Sequence, residues 1–74
     1  NSPFVMSQSK LIAERSLENT DNNLPAALDR CFELLLARQP TADEKAAVQS
    51  ITNPKDLFLV CRAILNSNAF TFLE

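Results

Sequence analysis

Seventy-four residues with a net charge of -2, 46% of them hydrophobic and 22% charged, make one small folded domain or a piece of one. The chain contains no Gly, His, Trp or Tyr. That excludes Ser-His-Asp and Cys-His nucleophile systems, His-based zinc sites, c-type haem attachment and the glycine loops that cradle phosphates.

Four prolines punctuate the sequence, each where a helix can begin, because the missing N–H would have been unpaired in a first helical turn. Ser2-Pro3 opens a first predicted helix that runs to about Glu18. Its apolar residues Phe4, Val5, Leu11 and Ile12 recur at a helical interval and predict one packed stripe. Met6, Ala13 and Leu17 form a second apolar side, which a domain of this size is expected to leave for another surface. The polar run from Asn19 to Asn23 reads as a loop.

Pro25 opens the second predicted helix, to about Arg38, with Leu28, Cys31, Phe32 and Leu35 at i, i+3, i+4 and i+7. This is the strongest amphipathic pattern in the chain, and Gln39-Pro40 breaks it. Thr41-Ala42-Asp43-Glu44 fits a capping box and starts a short third helix, to about Ser50, which offers only Ala46, Ala47 and Val48. Asn53-Pro54 caps a fourth helix from Lys55 to about Asn66. Between Leu57 and Leu65 only Arg62 is polar, so this helix is expected to be the most enclosed. Phe70, Phe72 and Leu73 form an apolar tail expected to fold back. With no Gly to end helices, Asn19 and Asn66 are expected as left-handed caps. The reading is all-α: a compact bundle of four short helices with an apolar C-terminal tail, in one helical domain spanning 1–74.

Chemistry-bearing residues are few. Cys31 and Cys61 lie 30 residues apart, a spacing that fits no metal site. They are either two small buried hydrophobes or one disulfide tying two helices, and in either case are expected buried and close together. Glu14 with Glu18, and Asp29 with Glu33, sit i, i+4 and could serve as acid–base or metal pairs. Solvated helix surface beside Arg15 and Arg30 is the simpler reading. Arg38, at the end of the second helix, either grips an anionic partner or complements the helix C-terminus and pairs with Glu44 across the turn. Serines and Lys10 have no activating neighbour, and the five Phe sit at core-like positions. A helix-turn-helix reading fails because Asp43 and Glu44 would meet phosphates, and the seven basic residues are spread among acids. No nucleic acid is expected as partner. No segment approaches the roughly 20 apolar residues of a bilayer span.

Three stretches carry a resemblance. Asn1-Ser2-Pro3-Phe4-Val5 begins a helix, Phe32 through Thr41 with Glu44 crosses the turn, and Ala63-Ile64-Leu65-Asn66-Ser67-Asn68-Ala69-Phe70 ends the chain. In order and spacing they resemble the C-terminal part of a planctomycete-specific domain of unknown function, with its "NSPFV", "LGRxPTxxE" and "LLNSNEFL" forms. That domain occurs in large multidomain proteins, many of which carry a cytochrome-c-like module. Ala37 stands where the family commonly has Gly, and Ala69 where it has an acid. A looser likeness is to short helical modules of bacterial surface proteins. The resemblance implies a cell-envelope or periplasmic setting, and it supplies no catalytic, cofactor-binding or metal residues to carry over.

Together with Asn1 in place of Met, this makes the chain an expected C-terminal subdomain of a larger protein. The expected function is a structural or protein-interaction module, not an enzyme. Its expected partner is the rest of its own chain or another protein, with no cofactor and no small-molecule ligand. The alternative is the helical buttress of an enzyme whose active site lies upstream.

Overall fold

Asparagine, threonine and proline set where the helices begin. In the computed structural model, which describes residues 3–66, the elements are α1 Pro3–Glu18, α2 Leu24–Leu36, α3 Ala42–Val48 and α4 Leu57–Ile64, the last entered through a 3-10 turn, Pro54–Asp56. Asn23 caps α2, its side-chain oxygen accepting from the Ala26 N–H at 2.9 Å, with Pro25 in the first turn. Asn53 accepts from the Lys55 N–H at 2.9 Å and caps the 3-10 turn, so the expected fourth helix starts at the right residue but in a tighter winding. No strand occurs among the described residues, and the chain is an all-α bundle. The expected tail residues Phe70, Phe72 and Leu73 lie outside the described residues.

α1 packs most extensively on α4 and α2, and α2 in turn touches α4. Where the three meet, the side chains are small. α1 contributes Ser9, Ala13 and Ser16 at i, i+4 and i+7; α2 contributes Ala27 and Cys31; α4 contributes Leu57 and Cys61. Leu57 is the largest of these, and its full burial stabilises by about 1.5–3 kcal/mol. A second cluster, Phe32 with Val60 and Ile64, sits between α2 and α4 and is flanked by Leu36, Val48 and Ile51. The buried residues of α4 fall at i, i+3, i+4 and i+7, as its unbroken apolar run implies.

The face of α1 differs from the sequence reading. Phe4 and Leu11 are 66% and 39% exposed, and Val5 and Ile12 beside them are half-buried. The packed face is the Ser9–Ala13–Ser16 line, with Leu17 and, from the expected stripe, Ile12 against the core. The Ala13 and Leu17 side, expected to be left over, packs inside. The physical reason is that each buried serine satisfies itself. Ser9 Oγ donates to the Val5 carbonyl at 2.7 Å and Ser16 Oγ to the Ile12 carbonyl at 2.8 Å, so neither brings an unpaired hydroxyl inside.

Helix ends differ too. Among the described residues, the left-handed ones are Asp21 (φ 52°), Asn22 (φ 62°) and Ala37 (φ 57°), not Asn19 or Asn66. Asn19 N–H still bonds back to the Arg15 carbonyl at 2.9 Å, and the chain turns three residues later, where Asn22 N–H closes on Leu17 O at 2.8 Å. Ala37 ends α2 one residue before the expected Arg38, its N–H returning to Glu33 O at 2.9 Å. An alanine there costs about 1–2 kcal/mol relative to a right-handed backbone. A glycine at this position would remove that cost. α3 stops at Val48, short of Ser50, and buries no residue.

The two faces of α1 give opposite expectations for mutation. Leu11→Ala is expected to change stability by no more than about 0.5 kcal/mol. Ala13→Leu forces bulk into the tight meeting of three helices and is expected to cost about 1–3 kcal/mol. Urea unfolding followed by circular dichroism reads both, and the reverse order would place the Phe4–Leu11 stripe inside.

Candidate functional site

Two places concentrate polar chemistry. The first is inside the bundle, where a hydrogen-bonded line crosses all three packed helices. Cys61 Sγ donates to Cys31 Sγ at 3.2 Å, Cys31 Sγ to Ser16 Oγ at 3.2 Å, and Ser16 Oγ to the Ile12 carbonyl. Cys31, Cys61 and Ser16 are 0% exposed, so both thiols are buried and adjacent, as their spacing on α2 and α4 implies. Both are free thiols. Donating to Cys31, and then burial, push the Cys61 thiol well above its ordinary range. The bond that Cys31 receives from Cys61 favours its thiolate and outweighs burial, so the first ionisation of the pair falls on Cys31. The sequence marked the cysteines; it did not mark Ser16. A serine seven residues after Ser9, with Ala13 between, was the available signal.

The second place is the turn between α2 and α3. Thr41 Oγ1 accepts from Glu44 N–H at 3.1 Å and Glu44 Oε1 accepts from Thr41 N–H at 2.8 Å, completing the expected capping box. Arg38 reaches across and donates to both Glu44 oxygens, at 2.7 and 3.0 Å, in a forked pair. Its remaining bond goes to the Gln39 carbonyl at 3.1 Å, inside the turn and not at the carbonyls that end α2. The guanidinium is thus occupied by its own chain. Arg38's bonds, then the Thr41 N–H, hold the Glu44 carboxyl down to about 2, and the same pairing raises Arg38.

The other candidate residues do not converge. Glu33 pairs with Arg30, whose Nε also donates to Asn19 Oδ1 at 3.1 Å, while Asp29 faces Lys45 Nζ at 3.9 Å on α3. Asp29 and Glu33 therefore serve different cations, and Glu14 and Glu18 are exposed. Lys10 Nζ lies 5.7 Å from the centre of the Phe58 ring, a cation–π contact the sequence reading missed. Among the described residues, no group of three or more His, Cys, Asp or Glu is placed to hold a metal ion. None of the helices there is long and apolar enough to cross a membrane. An apolar cleft of about 280 Å³ runs between α2 and α3, lined by Leu24, Leu28, Phe32, Val48 and Ile51 with Asp29 and Lys45 at its edge. No family model matches the chain, and no curated protein or solved structure matches it.

The Glu44 carboxyl has a testable pH signature. Its folded pKa lies below its ordinary value of 4.5, so its contribution to stability is present above that pH and is lost as pH falls toward about 2. Between about pH 5 and about pH 2, the thermal midpoint of the natural chain is expected to fall further than that of Glu44→Gln. Equal acid dependence in the two proteins would mean that Glu44 is not held by Arg38 and Thr41 in solution.

Proposed function

We propose that this chain is a helical structural or protein-interaction module of a larger bacterial envelope-associated protein, akin to the planctomycete domain whose motifs it resembles. Its partner is the rest of its own polypeptide, and it carries out no catalysis itself. The observation that supports this most is the outward-turned stripe on α1. Phe4 and Leu11 lie i, i+7 on one side of the helix, apolar by sequence yet 66% and 39% exposed. Phe4 also edges a groove of about 200 Å³ with Val5, Ile12, Leu35 and Leu65, so the apolar surface continues from α1 to α2 and the end of α4. Contiguous apolar surface of this kind on a small domain marks a contact. The polar groups weigh in the same direction: Arg38, Asp29, Glu33 and Glu44 each face an internal partner, which suits a scaffold.

Changing Phe4→Ser and Leu11→Ser together tests the reading. The thermal midpoint of the isolated chain is expected to stay nearly unchanged, because both side chains are already in water there. In the longer protein, the same pair of changes is expected to lower the midpoint of this module. Equal effects in the two settings, with the isolated chain monomeric in sedimentation at high concentration, would overturn the proposal.

A further inference from the structure

We infer that Cys31 and Cys61 are an oxidation site, which a disulfide oxidant such as glutathione disulfide or an oxidised protein dithiol converts into one internal disulfide tying α2 to α4. The geometry is already close to the product. The sulfurs are 3.2 Å apart, and a disulfide needs about 2.05 Å, so roughly 1 Å of approach by side-chain torsion joins them. The chain holds two cysteines, so the internal product is unique. Their neighbours in the core are Ala13, Ala27 and Leu57. The bond would close a loop between residues 30 positions apart and so would remove freedom from the unfolded chain.

The chemistry proceeds in two exchanges. Cys31 loses its proton and its thiolate attacks one sulfur of the oxidant, giving a mixed disulfide and releasing the other half as a thiol. Cys61 then loses its proton and attacks the Cys31 sulfur, forming the Cys31–Cys61 bond and expelling the second half as a thiol. Two cysteine thiols are oxidised, one oxidant disulfide is reduced, and both protons leave on the two released thiols. Cys31 suits the first attack because the pair ionises there, and its bond to Ser16 holds the sulfur on the side of α1. Neither sulfur is exposed, so the first attack requires the bundle to open, or occurs before it closes during folding. The closed bundle therefore protects the pair from the oxidant.

The test refolds the reduced chain from urea in a glutathione buffer with equal reduced and oxidised forms, then quenches with acid and alkylates. The expected product is a monomer about 2 Da lighter than the dithiol, with no alkylated cysteine and a thermal midpoint more than about 10 °C above the reduced form. Three results would overturn the inference: two free thiols at equilibrium, glutathione adducts or linked dimers in place of the internal bond, or an internal bond that lowers the midpoint.

Discussion

The fold depends on a shortage of space where α1, α2 and α4 meet. Ser9, Ala13 and Ser16 on one side and Ala27, Cys31 and Cys61 on the other leave little volume between the helices. That lets α1 lie close to both partners and leaves Leu57 as the single large side chain at the centre. Two fully buried serines are compatible with this because each hydroxyl is spent on the carbonyl one turn back. Bulkier residues are displaced to either side. Phe32, Val60 and Ile64 gather in a second cluster, and Phe4 and Leu11 turn to solvent. The thiol pair, the outward stripe and the order of the helices all follow from the same narrow line.

α3 is held differently. It buries no residue and has seven residues, too few to be stable as a helix without outside support. Its first turn is held by polar bonds: the Thr41–Glu44 box fixes it, and Arg38 clamps Glu44 from the far side of the Gln39-Pro40 break, while Val48 at its end packs against the Phe32 cluster. Asp29 and Lys45 add a longer-range attraction between α2 and α3. The cleft between these helices stays open because Ala46 and Ala47 face solvent and offer nothing to fill it. The three-helix core is thus organised by packing, and the start of α3 by a turn.

Much of this was legible in the sequence where side chain and backbone state the same thing. Thr41 with Glu44, Asn53 before Pro54, and the eight-residue span from Leu28 to Leu35 each name a local structure directly, and each formed. The adjacency of Cys31 and Cys61 followed from placing both on the apolar faces of helices that had to meet. The face of α1 was not legible, because hydropathy counts a serine as polar and cannot see that its hydroxyl bonds within the helix. Ala37 was not legible either. Alanine gives no sign of a left-handed backbone, whereas a glycine there would have. Asp21 and Asn22 carried the signal for the first turn, and Asn19 drew it because that residue type is favoured there too.

The central claim is that Cys31 and Cys61 lie within the tightest part of a cooperative three-helix core. Labelling of the reduced chain with a maleimide across a urea series tests it most directly. Both thiols are expected to react at the same slow rate, with an opening free energy and urea dependence equal to those of global unfolding measured by circular dichroism. Reaction of either cysteine in native buffer at the rate of a free thiol would contradict the account.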